Sequence, residues 1–291
     1  MQPNFESRMR IKILCVLLLT LLLASCGEYN KILKSRDAEL KYTYAKLYFD
    51  EKKYGRTSTL LEEILPTFNN TSREQEILFL LAQSYYYNGD YVTATQYYTR
   101  YYNKFPKGEY TELARFNAGY GLYQDSPDVR LDQTSTLRGI QEFQNFLEYF
   151  PQSDKAPEAQ DLMFKLQEKL AYKEFLAARL YYNLGLYMGN NYEACVVTAR
   201  EALKDYPFSA YTEEFQILIV RARYELAYYS VDTKKDTRYR DLMDEHFNYK
   251  NMFPNGKYTK ESEKYYRQAM KALNLEIDQA TSETVEQEIS K

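Results

Sequence analysis

Residues 75–106, QEILFLLAQSYYYNGDYVTATQYYTRYYNKFP, decide the fold. Leu78, Leu81, Ala82 and Tyr85 recur at i, i+3, i+4 and i+7, which is one face of a helix. Asn88-Gly89-Asp90 breaks that pattern. Glycine suits the left-handed position after a helix, and aspartate caps the next one through its carboxylate. Tyr91, Ala94, Tyr98, Tyr101 and Phe105 then line a second helix that stops at Pro106. The small residues Ala82 and Ala94 fall where the two helices must approach closely, so the stretch reads as a tight helical hairpin.

Working outward, one phrase recurs: Phe105-Pro106-Lys107-Gly108, Phe150-Pro151-Gln152-Ser153, Tyr206-Pro207-Phe208-Ser209 and Phe253-Pro254-Asn255-Gly256. Proline disfavours the helical region for the residue before it, so each copy ends a helix, and the small residue permits the turn into the next. The unit resembles the tetratricopeptide repeat. Leu78, Leu81, Ala82, Tyr85, Ala94, Tyr98, Tyr101 and Pro106 stand at its consensus places, with Leu78 replacing the usual tryptophan and Tyr101 the usual alanine. Weaker copies flank it. A first, over about 38–70, carries Ala45, Tyr48, Tyr54 and Leu61, with Pro66 ending its second helix early. A third, 111–151, carries Ala118, Gly139, Phe143 and Phe146 around a polar loop from Asp125 to Leu137. A fourth, 157–207, has Tyr192, Cys195, Ala199 and Ala202; a fifth, 211–254, has Ala222, Leu226, Leu242, His246 and Tyr249. Residues 258–275 would cap the array, and 276–291, acidic and free of aromatics, are expected to fray. Such units bury their apolar faces only by stacking. The expectation is therefore an all-α, right-handed tetratricopeptide-repeat solenoid over 38–275, of about five helix pairs plus a C-terminal capping helix. It would hold ten or eleven helices and no strand.

The N-terminus reads as an address. Arg8, Arg10 and Lys12 precede the uncharged run Ile13–Leu23. That run falls short of the ~20 apolar residues a bilayer-spanning helix needs, and suits a signal peptide. Leu23-Ala24-Ser25-Cys26 resembles the bacterial lipobox, whose cysteine is diacylated and becomes the new N-terminus after cleavage. Residues 1–25 are thus expected as a lipoprotein signal peptide and 26–37 as a lipidated linker, with Met9 an alternative start. Acyl and diacylglycerol chains on Cys26 would be the membrane anchor, since one chain alone binds only marginally. An ordinary secretory signal with an incidental cysteine is the plainer alternative.

Composition excludes several functions. The formal net charge is −3, and removing residues 1–25 takes away Arg8, Arg10 and Lys12 against Glu6 alone. That balance argues against a nucleic-acid surface, and gives no reason for adsorption on anionic lipid. With Cys15 in the signal and Cys26 lipidated, Cys195 has no disulfide partner. It occupies a small-residue slot and reads as packing. The single histidine, His246, cannot build a zinc site alone and reads as core. The carboxylate groups Glu62-Glu63, Glu213-Glu214 and Asp241/Asp244/Glu245 read as solvated helix faces. No convergent catalytic constellation is present, so the chain is expected not to be an enzyme, with no metal and no cofactor beyond the lipid.

The aromatic load is the positive signal: 32 tyrosines and 15 phenylalanines, many in adjacent groups such as Tyr85-Tyr86-Tyr87, Tyr97-Tyr98 and Tyr101-Tyr102. Helical neighbours point about 100° apart, so one member can be core while the other faces a groove. In the second repeat Glu76, Phe79, Gln83, Tyr86 and Tyr87 hold the first-helix positions that face the concave side in such repeats. They are the candidate peptide contacts. The alternative is that tyrosine simply stands in for leucine and phenylalanine in the core.

Lipobox, five degenerate repeats and the recurring turn together resemble the BamD family of outer-membrane lipoproteins, over about residues 27–275. Tyr101-Tyr102-Asn103-Lys104-Phe105-Pro106 and Tyr206-Pro207-Phe208-Ser209-Ala210-Tyr211 are the most family-like phrases. The resemblance implies a non-enzymatic scaffold on the periplasmic face of the outer membrane. Its partners would be the periplasmic domains of a BamA-like barrel protein and unfolded outer-membrane proteins. Another periplasmic tetratricopeptide adaptor, acting in cell-wall coordination, and a SusD-like glycan-binding lipoprotein share the lipid signal and the helical repeats, and stay open at this point.

Overall fold

The computed structural model describes residues 27–275; the expected signal peptide and lipidated Cys26, and residues 276–291, lie outside them. The described chain is helical without a strand, in agreement with the all-α expectation. Residues 27–33 form α1. Then follow α2 (Ala38–Asp50), α3 (Tyr54–Ile64), α4 (Glu74–Tyr87), α5 (Tyr91–Lys104), α6 (Thr111–Asp125) and α7 (Thr134–Tyr149). The remainder is α8 (Ala156–Leu184), α9 (Asn191–Asp205), α10 (Thr212–Tyr228), α11 (Asp232–Met252) and α12 (Thr259–Ala272). Helices pack on their sequence neighbours, as stacked hairpins do. Two compact units result, one running through Ser126 and including Ser135–Gln160, the other Pro127–Thr134 with the chain from Asp161 onward.

In the first unit Ala45, Leu61, Leu78, Leu81, Ala82, Ala94 and Ala118 are fully buried between hairpins. Gly89 takes φ +83° and Asp90 Oδ1 accepts the Thr93 N–H at 3.0 Å, so the α4–α5 turn is built as its residues dictate. In the second unit Cys195, Ala199, Phe215 and Ala222 fill the α8–α10 seam, and Leu242, Tyr249 and Ala269 the next. Burial pushes the Cys195 thiol up to about 12, which suits packing and not nucleophilic chemistry. His246 is 4 % exposed, shares a 2.8 Å hydrogen bond with Ser262 and stacks on Tyr266 at 4.7 Å.

Three expectations are corrected. Part of the supposed linker, 27–33, is helical because Ile32 is buried against the first hairpin and Tyr29 meets Tyr48 edge-on at 5.8 Å. The polar loop between α6 and α7 is shorter than expected. Asp125 still ends α6, and α7 already begins at Thr134, with Ser135 Oγ bonded to Asp125 at 2.5 Å and Ser126 to Thr136 at 2.6 Å. The carboxylate groups are not simply solvated. Glu62 accepts from the hydroxyls of Tyr85 (2.6 Å) and Tyr97 (2.8 Å), and Glu213 from Tyr249 (2.7 Å). Glu245, 5 % exposed, is paired with Arg200 and accepts from Gln216 Nε2 at 3.0 Å.

The four aromatic-Pro turns share one design with two variants. In each, the N–H of the small residue donates to the aromatic carbonyl, at 3.0 Å (Gly108), 3.1 Å (Ser153), 3.1 Å (Ser209) and 3.0 Å (Gly256). The N–H two residues later still needs an acceptor. Where a tyrosine stands four residues before the aromatic, its hydroxyl accepts: Tyr110 N–H to Tyr101 (3.1 Å) and Tyr258 N–H to Tyr249 (2.9 Å). Those two copies carry glycine, because a Cβ on Gly108 would lie 2.8 Å from the Tyr101 hydroxyl and one on Gly256 would collide with that of Tyr249. Where Phe146 or Ala202 stands there instead, serine supplies the acceptor, for Lys155 N–H (3.0 Å) and Tyr211 N–H (3.1 Å).

Candidate functional site

The first unit presents a continuous ladder of aromatic rings along the ends of α2, α4 and α6. Tyr54, opening α3, stacks on Tyr87 at 5.1 Å, and Phe49 meets both edge-on at 5.4 and 6.0 Å. Tyr87 meets Tyr86 at 5.4 Å, and Tyr86 continues to Tyr91 at 5.4 Å and to Tyr120 at 6.2 Å. Tyr120 extends the run to Tyr123 at 6.0 Å. Adjacency in the sequence is what bridges the hairpins. Tyr86 and Tyr87 point about 100° apart, so Tyr87 reaches back to the first hairpin while Tyr86 reaches forward to the third. Phe49, Tyr54, Tyr86, Tyr91, Tyr120 and Tyr123 are half-buried, and Tyr87 is 53 % exposed. Burial, with Tyr120, Tyr91 and Tyr87 alongside, pushes the Tyr86 phenol up to about 12, so it stays a neutral hydrogen-bonding group.

In the first turn of α4, Glu76 accepts from Lys46 Nζ at 2.8 Å. That bond, with a second from the Tyr42 hydroxyl, holds its carboxyl below the usual range, so an anion is kept and already compensated. Gln83 is half-buried one turn before Tyr86 and Tyr87. Of the five candidate contacts, Phe79 is the exception. It is 7 % exposed, stacks on Tyr110 at 4.5 Å and meets Tyr98 and Tyr101 edge-on at 5.8 and 5.7 Å. It belongs to the core between α4 and α5 and is closed to a ligand. The structure therefore brings Tyr86 and Tyr87 together, sets Glu76 and Gln83 earlier on the same helix, and removes Phe79.

Sequence reasoning missed Phe49, Tyr54, Tyr91, Tyr120 and Tyr123. Their signal was present, since each is an aromatic residue at the helix end or hairpin turn of its own repeat, but only stacking of the hairpins joins them. Paired tyrosines also divide less regularly than expected. Tyr98 is buried and Tyr97 half-buried, whereas Tyr101 and Tyr102 are both buried. Among the described residues no group of acids, histidines and cysteines could hold a metal ion, and no helix is long and apolar enough to cross a membrane. What the surface offers is ring faces, ring edges and phenolic hydroxyls in a row, the chemistry of side-chain recognition along an extended chain.

A curated relative, the outer membrane protein assembly factor BamD of Neisseria meningitidis serogroup B, is 25% identical over 246 residues, covering 78% of this chain and 88% of that protein. The family model for YfiO, described as an outer membrane lipoprotein, matches residues 34–190, more than half of the chain and all of the ladder. The stacked hairpins and these two matches agree: the chain belongs to the YfiO family and is BamD-like.

Proposed function

We propose that this protein is a non-enzymatic scaffold of the outer-membrane β-barrel assembly machinery, tethered to the periplasmic face of the outer membrane by lipid on Cys26. In this reading the ring ladder of the first unit receives an extended, aromatic-rich segment of an unfolded outer-membrane protein, and the chain associates with the periplasmic domains of a BamA-like barrel protein. The observation that carries the reading is the half-exposed run from Phe49 to Tyr123, left open to solvent along three hairpins. Large aromatic anchors of this kind concentrate binding energy in a few contacts, and the ladder offers them without a catalytic group beside it.

The test is photocrosslinking from positions 87 and 120 in intact cells, with the chain carried on its natural lipid. Adducts to outer-membrane proteins in transit, and recovery of a BamA-like barrel with the purified chain, are expected. Membranes that yield neither would reject the assignment. Mass analysis of the mature N-terminus decides the anchor separately: an acylated Cys26 is expected, and a Cys26→Ala chain should lose that mass and any membrane retention that resists high salt.

A further inference from the structure

The outer face of α12 carries a feature that overall charge conceals. At about 100° per residue, Lys260, Lys264, Arg267 and Lys271 fall on one line along the helix, and all four are exposed. Directly opposite lie Ser262 and Ala269, both 0 % exposed, which seat the helix on its neighbours. The stripe is therefore centred on the side turned furthest from the core. None of the four bases forms an ion pair among the described residues, whereas Lys46 on α2, Arg200 on α9 and Arg221 on α10 are paired with Glu76, Glu245 and Glu261. On α12 itself Glu261 is taken up by Arg221, at 2.6 and 2.7 Å, and Glu263 lies off to the side of the stripe. In a chain of net charge −3, an acid-free line of four bases on a helix face that has no partner among the described residues is a local reversal of sign.

We infer that this face rests on the anionic headgroups of a phospholipid surface, as a second and purely electrostatic membrane contact. Two features favour lipid over a protein partner. Protein interfaces are anchored by buried aromatic residues and are depleted in lysine, whereas three of these four bases are lysines and no aromatic ring lies on their line. A plane of diffuse negative charge, in contrast, needs only a row of long cationic side chains, each contributing about a fivefold gain in partitioning. Membership of an outer-membrane lipoprotein family supplies the neighbouring surface. The inference does not depend on the ring ladder or on any client.

Vesicle co-sedimentation of the chain from Gly27 to Lys291, without lipid attached, tests it. Binding to vesicles of equal parts phosphatidylglycerol and phosphatidylcholine at low salt is expected, fading as salt screens the contact, with none to phosphatidylcholine alone. The K260Q/K264Q/R267Q/K271Q variant should bind roughly several hundredfold more weakly at unchanged melting temperature, and K260R/K264R/K271R should bind as the parent does. No binding to the anionic vesicles, equal binding to both kinds, or an unaffected glutamine variant would overturn the inference. So would retained vesicle binding by the glutamine variant together with loss of a co-purifying acidic protein, which would reassign the stripe to that partner.

Discussion

Single hydroxyls decide which residue each helix-ending turn tolerates. At Gly108 the obstacle to a side chain is chiefly the Tyr101 hydroxyl, and φ there is not in the left-handed region. Gly108→Ser should therefore cost about 1–3 kcal/mol in the native background. In a Tyr101→Phe background much of that cost should vanish, because the incoming serine can accept the Tyr110 N–H as Ser153 accepts that of Lys155. Urea denaturation of the four chains forms the cycle, and strictly additive penalties would contradict the shared-acceptor account. His246 supplies a second residue-scale prediction. Burial among α11 and α12 lowers its pKa from 6.5 to about 4. A group depressed in the folded state contributes stability that is fully present above the unfolded pKa and lost as pH falls toward the folded one. Between about pH 6.5 and 4 the parent should lose about 2–3 kcal/mol more than His246→Gln, which keeps a partner for Ser262. Parallel stability curves for the two would show that the imidazole is not buried in the neutral form.

Helix pairs were legible because their determinants are local. The α4–α5 hairpin follows from a glycine at φ +83°, a capping aspartate and two alanines at 0 % exposure, all within the stretch that contains them. Ala94→Leu should overpack that hairpin by about 1–3 kcal/mol, read as a lowered thermal midpoint; an unmoved midpoint would mean that α4 and α5 do not meet closely at Ala82 and Ala94. Charges were misread at this scale because their partners lie on other helices. Glu245 on α11 is held by Arg200 from α9 and Gln216 from α10. Glu74, 0 % exposed, accepts from Lys104 Nζ at 2.6 Å and from the Asn70 N–H at 2.7 Å. Removing the arginine strands a buried carboxylate, tempered by the half-exposed position of its partner. Arg200→Met should thus destabilise by about 1–3 kcal/mol, read as a lowered urea midpoint.

Across the whole molecule, the ring ladder is a property of stacking and so of no single repeat. Tyr54→Ala with Tyr87→Ala removes exposed and half-buried rings that carry little of the core. Helical content should stay unchanged and the midpoint fall only modestly, by about 1–2 kcal/mol of stability, while client crosslinks from position 120 drop. A collapse of the fold in that variant would make the ladder a structural element and withdraw it as a recognition surface. The sequence by itself determined the helical repeat, the turn phrase, the packing roles of Cys195 and His246 and the family, because periodicity, caps and proline stops act over a few residues. It also named Tyr86 and Tyr87. Only the tertiary structure decided that Phe79 is core and not contact, that Phe49, Tyr54, Tyr91, Tyr120 and Tyr123 continue the ladder, and which carboxylates are held by distant bases. Those outcomes depend on how one hairpin's ridges settle against the next, a contact geometry that links residues some 30–45 positions apart and leaves no periodic trace within any one helix.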